Sequence, residues 1–141
     1  MIDKDLAPYA ALLLRVTLGF LFLAHAATKI LVITPEGTAL FFISIGLPGP
    51  LAYVVITAEI IGGIALVLGY HSRIAAMALL PILFGAILFA HGANGWLFSN
   101  PHGGWEYPAF WATALVVHAM TGEGVFSIRS CKLKFSLNRA S

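Results

Sequence analysis

Arg15, Glu59 and His118 are ionisable side chains set inside long apolar runs, and Glu59 is the only Asp, Glu, Lys or Arg between Gly37 and Ser72. A carboxylate in hydrocarbon is costly unless it has a partner or a task, and such groups mark ligand sites and proton paths. A guanidinium fork anchors or polarises an oxygen, a carboxylate orients it or exchanges a proton, and an imidazole titrates near neutral pH. These three are the expected catalytic set, gathered in one inner cluster. Arg15 begins roughly 10 Å into its helix, and Glu59 lies near mid-membrane on a helix running the other way, within side-chain reach. The simpler alternative is a buried ion pair that only fixes which helices pack, with His118 bonded to a nearby backbone or hydroxyl group.

A second set, His25, Lys29, His91, Asn94 and Glu106, falls toward the opposite ends of the same segments and is expected to line a polar, ligand-binding mouth. His91 and Asn94 are three apart and share a face if their helix continues through them. No pair has the His-Glu-x-x-His spacing of a metal site, so no metal is assigned. The lone Cys131 excludes an internal disulfide or dithiol relay.

The elements that must position these groups are four apolar segments, about Pro8 to Ile33, Leu51 to Gly69, Ile74 to His91 and Tyr107 to Gly122. Each approaches the ~20 residues that cross ~30 Å of hydrocarbon, the last being short. Hydrophobic residues make up 60% of the 141-residue chain and charged ones 10%, against about 25% charge in soluble domains. The expected fold is therefore all-α, an integral membrane four-helix bundle. The first segment carries Arg15 and Lys29 and no small-residue cleavage signature, so it reads as retained.

Lys4, Arg73, and the group Arg129, Lys132, Lys134 and Arg139 flank one side of these segments. The positive-inside rule places both termini and the Gly69 to Arg73 turn in the cytoplasm. The formal charge of +2 then suits anionic lipid headgroups rather than nucleic acid. The bilayer is the partner this implies. Two parts follow: residues 8–125 as a four-span domain and 126–141 as a basic tail.

Between the first two segments, Pro35 and the Pro48-Gly49-Pro50 run bracket a short interfacial helix, which reads either as a lid or as a plain connector. The aromatic, glycine-rich stretch from His91 to Glu106 fits the headgroup belt, and Pro81 predicts a kink in the third segment. Along the first helix Arg15, Gly19, Phe22, Ala26 and Lys29 form one stripe. In the second, Val55, Glu59, Gly62, Gly63 and Leu66 share a side, with the glycines allowing close packing. Small residues permit a homo-oligomer without specifying one.

These residues resemble the DoxX family of small four-helix bacterial membrane proteins. The likeness rests on Arg15, Gly19 and Lys29, on Glu59-Ile-Ile-Gly62-Gly63 through Gly69 followed by Arg73 and Ala75-Ala76, and on His91 with Gly92 to Gly95. It covers about Leu12 to Thr121. The resemblance implies a plasma (inner) membrane component related to the DoxD quinone-linked oxidoreductase subunit. The expected function is a redox-system component that binds a quinone or similar small redox-active molecule beside an oxidoreductase subunit. In that picture Arg15 anchors an oxygen, Glu59 orients Arg15 or exchanges a proton, and His118 or His25 relays protons. The alternative is a non-enzymatic structural or small-solute transport bundle.

Overall fold

The computed structural model describes residues 3–128; of the expected basic tail, 126–141, residues 129–141 with Cys131 lie outside the described residues. The described chain is all-α: α1 (Ala7–Leu31), α2 (Pro35–Ser44), α3 (Leu51–Leu68), α4 (Ser72–Gly85) and α5 (Glu106–Thr121). Beyond α4 the helical path continues through a π-helical segment, Ala86–His91, and a 3-10 turn, Gly92–Asn94. Pro81 is accommodated inside α4, and the departure from α geometry comes at Ala86.

Among the described residues three stretches are long and apolar enough to cross a membrane: Ala7–Leu31, Leu51–Leu68 and Ser72–Asn94. This corrects the expectation of a plain four-helix bundle; the last segment, expected to be short, is too short to count with the other three. The physical reason is the length of α5, 16 residues or about 24 Å, which falls short of ~30 Å of hydrocarbon. Its start is fixed by the folded loop before Glu106 and its end by Gly122 at φ 92°, a backbone angle that favours glycine. The remaining helix, α2, is the short one expected between prolines; the Thr34 side chain accepts from Gly37 N–H to cap it.

Polarity is distributed as a bilayer demands. Leu13, Phe20, Leu31, Ile61, Ile74, Leu88, Phe110 and Met120 point outward, while Leu18, Phe22, Leu66, Leu79, Leu83, Trp111 and Leu115 fill the interior. Exposed apolar surface on this scale suits lipid, not water.

The adjacent glycines of α3 serve two different neighbours. A Cβ on Gly63 would stand 3.0 Å from the Gly19 carbonyl oxygen of α1, and one on Gly19 would stand 2.8 Å from that of Gly63. A Cβ on Gly62 would meet the Leu79 side chain of α4 at 2.7 Å. The tandem pair thus lets α1 approach backbone to backbone on one side and Leu79 seat itself on the other. It also sets the register of everything polar along α1 and α3.

Candidate functional site

That register decides which charges meet. With Gly19 opposite Gly63, the antiparallel run carries Lys29, in the last turn of α1, to the level of Glu59. Lys29 Nζ donates to both carboxylate oxygens, at 2.7 Å to Oε1 and 2.9 Å to Oε2. Glu59 is 3% exposed and the Lys29 side chain 18%, so the pair is sheltered and Lys29 is its more exposed partner. Helix α2 packs over this region, and Thr38 Oγ1 donates to Thr34 O at 2.9 Å and reaches Lys29 O at 3.5 Å.

Arg15 does not reach Glu59, which corrects the expected inner cluster. It lies fourteen residues before Lys29, about 21 Å along α1, and therefore meets the far end of α3. Its Nη1 donates to Leu66 O and Val67 O at 3.0 and 2.9 Å, and its Nη2 to Val125 O and Phe126 O at 3.4 Å. The guanidinium is fully buried. It bonds carbonyls of the last turn of α3, of which Leu66 O also accepts from Gly69 N–H at 3.2 Å, and its positive charge complements the negative end of the α3 dipole.

The same contacts hold the chain after α5 against the bundle. Val125 N–H donates to Pro8 O at 3.2 Å, and Ser127 is buried. Packing therefore continues past residue 125, the expected end of the four-span domain.

His118 is also buried without meeting Glu59. Its Nε2 is 3.1 Å from Ser72 Oγ, which ties α5 to the first turn of α4. This matches the alternative of a core histidine bonded to a hydroxyl. Nothing in the residue spacing singled out Ser72.

The expected outer mouth divides into three parts. Lys29 is engaged by Glu59. His25, one turn earlier on α1 and exposed, packs edge-on to Trp111 with ring centroids 4.9 Å apart. The Trp111 Nε1 atom is buried and has no acceptor among the described residues. His91, Asn94 and Glu106 instead organise the loop before α5. His91 Nδ1 lies 3.0 Å from Gly103 O, and Asn94 Nδ2 reaches the same oxygen at 3.0 Å as well as Ala90 O and His102 O at 3.2 Å. Glu106 Oε1 accepts from Phe98 N–H at 2.7 Å. No group of three His, Cys, Asp or Glu among the described residues is placed to hold a metal ion.

The DoxX family model matches residues 10–92, which takes in α1 through the π-helical segment and so contains Arg15, Lys29 and Glu59. The chain belongs to the DoxX family. Among curated proteins, this DoxX chain is similar to the putative oxidoreductase CatD of Bacillus subtilis (strain 168), 43% identical over 77 residues. The match covers 55% of this chain and 56% of that protein, so the chain spans about half the length of the relative. No solved structure matches. DoxX membership and the apolar spans make this a multi-pass inner-membrane protein.

The chemical content of the site is now concrete. Lys29 presents three donors, of which Glu59 engages at least two. His25 and the Trp111 indole stand on the neighbouring turn and helix. This is a set rich in donors with one carboxylate behind it, suited to a ligand whose oxygens accept hydrogen bonds.

Proposed function

We propose that this protein is an inner-membrane component of a redox system and that it binds a quinone, or a similar small redox-active molecule, beside the Lys29–Glu59 pair. The observation that carries the reading is the pair itself. A carboxylate at 3% exposure within an apolar span is retained against a substantial desolvation cost, and its lysine partner is the more exposed of the two. DoxX membership and the relative named as a putative oxidoreductase support the redox context.

In this reading Lys29 donates to a ligand oxygen and Glu59 holds the ammonium in place and exchanges a proton with it. His25 passes protons between this pair and the interface, with Trp111 as a further donor. A bound quinone supplies the redox chemistry; the chain supplies position, polarisation and proton handling. Arg15 and His118 act as positioning residues that hold the inner end of the bundle. His91, Asn94 and Glu106 shape the outer loop.

The proposed topology has α5 as a fourth, shorter crossing and both termini in the cytoplasm, following the Lys and Arg distribution. Residues 8–125 then form the DoxX-like domain, with the basic tail behind it. The proposed protein partner is an oxidoreductase subunit, with self-association the other candidate.

A second reading, a structural or small-solute transport bundle, draws on the fact that Arg15 and His118 both bond to groups of the bundle itself. Mass spectrometry of the protein in native-lipid particles, against matched empty particles, separates the two. Quinone enriched with the wild-type chain and depleted in Glu59→Gln supports the redox reading. No enrichment, together with pH-gradient-driven uptake in vesicles lacking redox partners, supports transport.

A further inference from the structure

A second candidate site, whose lining includes neither member of the ion pair, lies on the outer face of α5. Trp96 and Phe98 from the preceding loop and Glu106, Tyr107, Phe110 and Thr113 from α5 line an open groove of about 690 Å³, within the ~300–1,000 Å³ range of small-molecule sites. The α5 positions 106, 110 and 113 recur at steps of four and three, so they follow one face of the helix for two turns, about 10 Å. Along that line the lining passes from a carboxylate among aromatic rings to an apolar, lipid-facing stretch; Phe110 is 74% exposed. That is the order of polarity in an amphiphile lying along a membrane helix, with its head at the loop and its chain below.

The lining favours a head that carries positive charge. Among the described residues Glu106 is the only charged one lining the groove, and the rings around it attract positive charge through their faces. The carboxylate is preorganised as well. Phe98 N–H donates to Glu106 Oε1, Glu106 N–H donates to Trp96 O at 3.1 Å, and Gly104 N–H donates to Leu97 O at 2.9 Å. These bonds brace the two sides of the loop against each other. A quinone, whose oxygens only accept, gains nothing from this carboxylate, so the groove is chemically distinct from the Lys29 site.

We propose that the groove seats a phospholipid with a primary ammonium headgroup, the ammonium against Glu106 between the aromatic rings and an acyl chain along Phe110 and Thr113. The test uses the full chain in lipid nanodiscs containing equimolar phosphatidylethanolamine and phosphatidylglycerol, released into a neutral detergent, with retained lipids identified by native mass spectrometry. The wild-type chain is expected to retain phosphatidylethanolamine preferentially. In Glu106→Gln that preference should fall about tenfold, the scale of one charge-assisted contact, because the amide keeps the acceptor for Phe98 N–H and loses only the charge. Glu36→Gln, which removes an exposed carboxylate on α2, should leave the preference intact. Equal retention of the two lipids by the wild type, an unchanged preference in Glu106→Gln, or an equal loss in Glu36→Gln would overturn the proposal.

Discussion

Lys29 and Glu59 form a two-pronged ion pair across α1 and α3, with one ammonium within 2.9 Å of both carboxylate oxygens. They are thirty residues apart in the chain and are aligned by the glycine contact that brings the two helices together. Removing either partner leaves the other uncompensated in a sheltered site, a change that costs about 3–5 kcal/mol for fully buried pairs. The partial exposure of Lys29 places the expected loss at the lower end. Lys29→Met and Glu59→Gln should each lower the thermal midpoint, and the double variant should lose less than the sum of the two. Additive losses in a double-mutant cycle would deny the coupling.

Arg15 should act on the inner end of the bundle rather than on ligand. Arg15→Lys keeps the charge and gives up the planar fork that bridges α3 to Val125 and Phe126. It should lower stability by about 1–3 kcal/mol and expose residues 122–128 to proteolysis, with ligand affinity within about twofold of wild type. Limited proteolysis followed by intact-mass analysis reads this directly. Unchanged protection of that segment would contradict the clamp.

The glycine contact predicts a graded steric series. Gly63→Ala pushes a methyl group against the Gly19 carbonyl and should destabilise by about 1–3 kcal/mol, as overpacking does. Gly85→Ala, where a Cβ meets nothing within 4 Å, should be neutral or stabilising by up to about 1 kcal/mol. Parallel melts of the two variants in one detergent check the ordering.

Ser72→Ala removes the hydroxyl beside His118 Nε2 and should cost about 1 kcal/mol of stability while leaving the Lys29 site intact. A loss of quinone retention as large as that in Glu59→Gln would instead give His118 and Ser72 a direct part in binding.

Much of the fold was legible because apolar length and helix punctuation are local signals. Pro35, the Pro48-Gly49-Pro50 run and Gly69 marked helix ends that the structure places within a few residues, and Gly19, Gly62 and Gly63 marked the close approaches. The exchange of partners at Glu59 was harder. Arg15 and Lys29 occupy the same stripe of α1, about four turns apart, and the depth estimate left the register of α1 against α3 unset. Only the seating of Gly19 against Gly63 removes that freedom, and it selects Lys29. The loop residues His91, Asn94 and Glu106 were recognisable as polar groups at a helix end, but their partners are mainly backbone atoms, which carry no residue-type signal. The short α5, by contrast, was legible: its expected bounds, Tyr107 to Gly122, fall within a residue of the observed Glu106–Thr121.

The central claim is that the Lys29–Glu59 pair forms the polar wall of a quinone site, and it is tested most directly by titrating a short-chain benzoquinone into the purified protein while following tryptophan fluorescence, to which the neighbouring Trp111 contributes. The account predicts saturable quenching in the wild type and an affinity at least about tenfold weaker in Lys29→Met and in Glu59→Gln, the loss of one charge-assisted contact, with helical circular dichroism retained. Saturable binding of equal affinity in both folded variants, or no saturable binding by the wild-type protein, would contradict it.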